Sequence, residues 1–342
     1  LAGFWPGARR PSIDLSKRRQ VTVFSASTVF RSAAFGGLAV LIAAAFAVVP
    51  ASAAEEGQSP YIKGYRDIFM GVVPPQTGLY FRTDLIYYGG QADTAVLGGL
   101  AQFGVRESAG YVLPAFTYVT DIKILGGQYA FNAVPSLLIV DARADFTGAR
   151  GRVGVHGGGD MVGIGDSVIT PLILGWHGHN DTHWNVGLSA VLPTGSYEVG
   201  RLQNTSLGYY AIIPQAGWSY LNPKTGWDAS VGAAYVFPFK HEATDYQTGQ
   251  ILHFDAALSK AVSPAWRLGV VGYAMIQTTD DTGTGAVLGG FHSQVFGMGP
   301  LAAYSLKIEG KPVTMLMKWD HEFGASNTFH GDTVTAALSL KF

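Results

Sequence analysis

The chain has 342 residues, of which 14% are charged and 48% apolar, with 45 glycines and no cysteine. Charge is far below the ~25% of ordinary soluble domains, and glycine is near twice its usual ~7%. Such a composition excludes disorder and a disulfide scaffold, thiolate metal centres or cysteine nucleophiles, and a formal net charge of −1 leaves no basic footprint for nucleic acid.

In chain order, residues 1–53 read as an export signal with an over-long leading extension. Arg9, Arg10, Lys17, Arg18, Arg19 and Arg31 precede an apolar run from Ala33 to Val49, and Pro50 and Ala51-Ser52-Ala53 follow. Basic residues, an apolar core and a small-x-small site are the layout of a cleaved secretory signal, and cleavage is expected after Ala53. The rival reading, a membrane-spanning helix, needs about 20 apolar residues. This run is shorter, alanine-rich and followed by Glu55-Glu56. With six of the 23 basic and one of the 24 acidic residues in the leader, the remaining 289 residues carry a formal net charge of −6.

Residues 54–77 contain Tyr61, Tyr65, Arg66, Asp67, Phe69 and Pro74-Pro75 and show no long alternation. They are expected to form a short turn and loop, tucked into a lumen or under its periplasmic mouth, with Tyr65, Arg66 and Asp67 as plug candidates. A flexible periplasmic tail is the alternative.

From residue 78 to 342 the recurrent period is two. Trp227, Ala229, Val231, Ala233, Tyr235, Phe237 and Phe239 share one face, and Asp228, Ser230, Gly232, Ala234, Val236, Pro238 and Lys240 the other. Val313, Met315, Met317 and Trp319 likewise oppose Thr314, Leu316, Lys318, Asp320 and Glu322. Twelve such segments begin near Gly78, Ala109, Gly126, Met161, Asp181, Gly208, Thr225, Thr248, Pro264, His292, Pro312 and His330. They are long for soluble sheets, where strands average about 5–6 residues. Short turns such as Leu125-Gly126-Gly127 and Glu309-Gly310-Lys311 alternate with longer loops near 89–108, 143–160, 194–207, 240–248, 279–291 and 324–330. Short periplasmic turns with long outer loops mark an outer-membrane barrel. The expected fold is therefore all-β: a transmembrane up-and-down antiparallel β-barrel of about 12 strands, with a short N-terminal plug. It would be seated in the bacterial outer membrane, surrounded by outer-membrane lipid.

The alternation aims Arg82, Asp84, His183, Asn185, Asp228, His253, Asp255, Arg267, Gln277, Lys318, Asp320 and Glu322 inward. In a polar lumen such residues pair and brace the wall, or they set selectivity. Two connections are apolar for water-exposed loops, around 95–103 and 286–291, and apolar walls at a mouth suit a hydrophobic small solute. Between Gly163 and Trp176 both faces are apolar, so one of them must meet lumen or plug. Phe342 ends an apolar face and reads as the terminal aromatic that barrel-assembly machinery recognises.

The stretches YIKGYRDIFMGVVPPQTGLYFR (61–82), YVTD (118–121), GIGDSVITPLILGW (163–176) and LPTGSYE (192–198) resemble one family, the outer-membrane proteins named for the meta-pathway of phenol degradation. The resemblance spans about residues 60–342. It implies a barrel that imports hydrophobic or aromatic compounds, and it singles out Asp166 as a residue at the rim.

The leading functional expectation is diffusion-driven uptake of small apolar or aromatic molecules, without a cofactor. A lipid-modifying outer-membrane enzyme is the second class, with His292, His321 and His330 near Ser293 and Ser326, but no nucleophile motif accompanies them. A purely structural barrel is the third. His177, His179 and His183 flank one turn, yet only Asp181 joins them, so no metal site is expected.

Overall fold

The computed structural model describes residues 58–97, 100–147, 154–286, 290 and 292–342. The export-signal reading of residues 1–53 lies outside the described residues, as do 54–57.

Fourteen strands form one antiparallel sheet: β1 (Gly78–Leu97), β2 (Leu100–Ile124), β3 (Gly127–Val134), β4 (Leu137–Thr147), β5 (Gly154–Ile164), β6 (Ser167–His177), β7 (Thr182–Leu192), β8 (Ala211–Leu221), β9 (Trp227–Pro238), β10 (Ile251–Ala261), β11 (Trp266–Gln277), β12 (Gln294–Ile308), β13 (Lys311–Ser326) and β14 (His330–Lys341). Pairing of β1 with both β2 and β14 closes the ring. Twelve strands make up that ring, because β4 and β5 are upward continuations of β3 and β6. Closure joins the strands of the ring edge to edge, as hydrocarbon requires of backbone amides.

Period-two side-chain alternation sorts the wall into two faces. On β9, Asp228, Ser230, Gly232, Ala234 and Val236 are buried inside, while Trp227 and Phe237 are exposed outside. Trp184 pairs with Trp218, and Trp266 with Tyr304, near the short-turn end. Tyr87, Phe237, Trp319 and Phe323 are exposed toward the other end, and Leu188, Leu258, Val270 and Met317 lie exposed between the two groups. Two aromatic belts flanking an apolar band are what a bilayer selects. Two of the short turns, Leu125-Gly126 and Glu309-Gly310, hold positive φ at both central residues, the geometry that matches strand twist in a two-residue hairpin.

Three local features depart from even alternation. The loops expected near 89–108 and 143–160 are instead strand up to residues 97 and 147, resuming at 100 and 154. Above the bilayer the ladder needs no apolar face, so polar and glycine-rich sequence keeps pairing there. The apolar stretches near 95–103 and 286–291 fall partly on residues 98–99, 287–289 and 291, which lie outside the described residues.

Second, both continuations are kinked. Pro135, which cannot donate to a ladder, separates β3 from β4, and Gly165-Asp166 separates β5 from β6. The two breaks are tied together by Gly165 N–H to Ser136 O at 3.0 Å and Ser136 Oγ–H to Asp166 O at 2.9 Å. Above the break β4 pairs with β2 and β5, and β5 has no further strand partner among the described residues.

Third, β6 carries a bulge between Ile169 and Leu172, opposite irregularities in both neighbours. A bulge shifts side-chain phase by one residue. It sends Val168 and Thr170 inward before it and Ile173 inward after it, while Ile169 and Leu172 face out. This is how a strand apolar on both faces is accommodated.

Candidate functional site: a roofed lumen cavity

The segment from Gln58 to Val73 crosses the lumen and is bonded to the wall on several sides. Ser59 Oγ lies 2.8 Å from His253 Nε2, and Tyr61 Oη–H donates to Asp255 at 2.7 Å. Lys63 pairs with Glu322 at 2.6 Å, and Lys318 donates to the Gly64 carbonyl. Asp67 receives the Arg82 guanidinium, which also grips Asp84. Phe69 N–H donates to Ser230 Oγ at 3.1 Å, Gly71 N–H to Ser219 Oγ at 2.8 Å, and Asn185 Nδ2–H to Met70 O at 2.8 Å. The backbone runs so close to the wall at Gly71 that a Cβ there would sit 2.5 Å from His183 O and Ser219 N. The plug candidates thus divide: Asp67 is locked into an ion pair, whereas Tyr65 and Arg66 border open space.

The lumen candidates of the sequence are placed as follows. Asp84, Asp228, His253, Asp255, Lys318, Asp320 and Glu322 are buried inside the ring, and Arg82 and Arg267 are half-buried on its inner face. His183 sits at the short-turn end, its Nδ1 2.7 Å from Nδ1 of His177 across the β6–β7 hairpin. Asp228 is held by Ser230 and Ser259, whose hydroxyls donate at 2.7 and 3.0 Å. Arg267 lies 4.9 Å from the Phe69 ring centroid. Most of these groups hold the crossing segment or one another. Phe342 is exposed beside Phe81, with its N–H bonded to Leu79 O at the β1 seam.

Above the plug lies a cavity of about 460 Å³. Its roof is the segment after β7, which folds inward. Asp166 builds that roof: its carboxylate accepts the N–H groups of Gly195 at 3.3 Å and Leu207 at 2.8 Å. Gln203 reaches Ala142 O at 3.0 Å, and Leu202 packs on Leu138, Val140 and Ala142 of β4. The inward fold of 193–207 escaped the sequence reading, which placed it as an outer loop. Its signal is the apolar Val199, Leu202 and Leu207 interspersed in a mostly polar stretch. The cavity walls are mainly apolar, from Ile62, Tyr65, Leu113, Val134, Val168, Val191 and Ile213. A strip of neutral polar groups interrupts them, with Gln215 Nε2–H donating to Ser189 Oγ at 2.8 Å and Thr170 Oγ1 2.7 Å from the same Ser189 oxygen.

The rim histidines reach carboxylates rather than serines. His292 lies 2.6 Å from Asp280 and His321 3.0 Å from Asp332, while Ser293 Oγ–H donates to Gln277 and Ser326 Oγ accepts from Asn327. His330 pairs with Gln91 in the ladder. Among the described residues no group of three or more His, Asp or Glu has metal-holding geometry.

In the outer loops, burial pushes the Asp281 carboxyl up to about 6, against the hydrogen bonds it accepts from Tyr246, Gly249 N–H and Gln277. Burial likewise lowers the His241 imidazole, which lies with its ring centroid 4.3 Å from that of Tyr197.

A closed ring of twelve strands with aromatic belts, an apolar exterior and a polar, plugged interior defines a β-barrel of the outer-membrane type. The chain belongs to the family described as putative MetA-pathway of phenol degradation, whose model matches residues 89–338. Among solved structures, the COG4313 outer membrane channel from Pseudomonas putida F1 is similar at TM-score 0.58 and 12% identity, over 80% of this chain and 98% of that one. The translocator domain of the autotransporter NalP from Neisseria meningitidis aligns over 78% of this chain and 89% of that one, at TM-score 0.43 and 12% identity. A Pseudomonas aeruginosa FadL homologue aligns at TM-score 0.35 and 6% identity, over 77% and 88%. No curated protein matches.

Proposed function

We propose that this barrel is an outer-membrane channel through which small apolar or aromatic compounds enter by diffusion. The cavity carries the reading. At about 460 Å³ it falls in the range of ~300–1,000 Å³ typical of small-molecule sites, and such sites are apolar with a few placed polar groups. Its walls have that make-up. A barrel serving only as structure has no need of space between its plug and its roof. Membership of a family described by phenol degradation supports aromatic cargo, and the fold shared with a Pseudomonas putida outer membrane channel supports the channel role.

The test is uptake of phenol, toluene and a medium-chain alcohol by a strain lacking the gene, with and without the full chain restored, at solute concentrations low enough for outer-membrane passage to limit the rate. Faster uptake with the protein, reduced by Ile213→Trp, which fills the cavity, is the expected result. Equal uptake in both strains would overturn the proposal.

A further inference from the structure

The cations of the lumen differ in one respect. Arg82 grips two carboxylates, Lys63 pairs with Glu322, and Lys318 lies 3.2 Å from Asp320. Arg267 bonds Ser259, whose hydroxyl is turned to Asp228. Arg66 borders the cavity, and among the described residues it has no carboxylate within 4.0 Å. Its three hydrogen bonds end on neutral oxygens: Ala216 O at 2.7 Å, Met70 O at 2.8 Å and Asn185 Oδ1 at 3.5 Å. Asp255 acts on it at longer range only, with one carboxylate oxygen bonded to the Tyr61 hydroxyl and the other without a hydrogen-bond partner.

Room for the guanidinium is built into the wall. A Cβ on Gly217 would lie 2.7 Å from Arg66 Nη2, and one on Gly232 would lie 2.9 Å from Nη1. Glycines on two adjacent strands thus leave room for the guanidinium together with Met70, whose carbonyl would lie closest of all to a Cβ on Gly217. A half-buried cation without a counter-charge is costly unless something pairs with it. At the opposite, roof end stands Asp166, bonded by the N–H groups of Gly195 and Leu207 and by the Ser206 side chain, while Arg82, which also borders the cavity, is neutralised by Asp67 and Asp84. The space thus has a positive floor, a negative ceiling and apolar sides.

We infer that the cavity takes an apolar monocarboxylate, with its carboxylate on Arg66 and its aromatic or aliphatic body against Ile62, Tyr65, Val168 and Ile213. This rests on the channel reading above and narrows its solute class. With Nη1 bonded to Ala216 O and Nη2 to Met70 O, the Nε–H and the remaining guanidinium hydrogens are the charged donors left for a carboxylate. Asp166 repels the same group, so the solute sits head toward the periplasm. Neutral aromatics share the apolar walls but gain nothing at either pole.

A matched pair of probes, 3-phenylpropionate and 3-phenylpropan-1-ol, isolates the charge. Binding to the purified full chain in detergent and flux into proteoliposomes are measured at about pH 7. The acid is expected to bind about tenfold more tightly than the alcohol, as a charge-assisted fork contact allows. In Arg66→Met that ratio should fall to near one, and in Arg66→Lys it should recover in part. If Arg66→Met fails to assemble, the wild-type chain answers alone: its preference for the acid should vanish below about pH 4, where the ligand carboxyl takes up its proton. Equal binding of acid and alcohol by the wild type, or an unchanged ratio in Arg66→Met, overturns this inference and leaves the channel reading standing. Failure of both probes to bind or pass overturns the two together.

Discussion

Lys63 Nζ stands 2.6 Å from Glu322 Oε1, an ion pair between residues 259 positions apart that fastens the crossing segment to β13. Glu322 is fully buried there and also accepts from Tyr88 at 3.0 Å, Tyr273 at 2.7 Å and Gly331 N–H at 2.8 Å. Removing one partner of such a pair leaves the other charge stranded, at a cost of about 3–5 kcal/mol. Glu322→Gln and Lys63→Met should each destabilise the folded barrel. The double variant should lose less than the sum, with a coupling of about 0.5–3 kcal/mol. Urea unfolding in lipid vesicles, followed by tryptophan fluorescence, measures all four corners of the cycle.

Gly71 has no space for a methyl group, because backbone atoms of β7 and β8 lie 2.5 Å from where its Cβ would be. Gly71→Ala should lift the crossing segment off the wall and break the bond from Gly71 N–H to Ser219. The barrel ladders do not involve this residue. Single-channel conductance should therefore rise while heat-modifiable mobility on gels persists. Unchanged conductance would show that the segment has other room to yield.

The raised Asp281 carboxyl makes the outer loops sensitive to pH. Its folded value of about 6 exceeds the usual carboxylate value of 3.8, so between the two the folded state holds a proton that the unfolded state has released. Stability then falls as pH rises through that window. The loops around Tyr246 and Gly249 should be firmest near pH 4 and loosest above pH 6. Limited proteolysis of the loop at about pH 5 and 7 tests this, with Asp281→Asn expected to flatten the difference.

Phe342 leaves the folded chain with little to lose. It is 61% exposed and touches the wall through Phe81. Phe342→Ala should change unfolding free energy by about 0.5 kcal/mol or less, as surface substitutions do. If the residue serves as an assembly signal, the same variant should lower the amount of barrel recovered in outer membranes several-fold. Equal recovery would remove that role.

The ring itself was legible because bilayer and lumen impose opposite demands on neighbouring residues. Trp227 to Pro238 alternates without a fault, and the positive-φ turns at Gly126 and Gly310 punctuate the hairpins. What did not show was anything that crosses the ring. Lys63 meets Glu322 only once the ring closes, and Asp166 meets Leu207 only once the 193–207 segment folds inward, and no local period encodes either. The β6 bulge was visible only as a conflict, two apolar faces where one was allowed, since a one-residue change of phase leaves no other trace in composition. Strand ends above the bilayer, such as β5 over 154–160, lie where the apolar signal stops but the ladder does not.

The segment that fills the interior is made before any strand, yet its fastenings are scattered from Arg82 on β1 to Glu322 on β13. The wall must therefore wrap around its own contents: the last hairpin brings Lys318 and Glu322 to the segment and, in the same movement, carries β14 to β1. The seam and the last fastenings of the interior thus share one hairpin, and a chain without β13 and β14 would be unsealed and its stopper held on one side only.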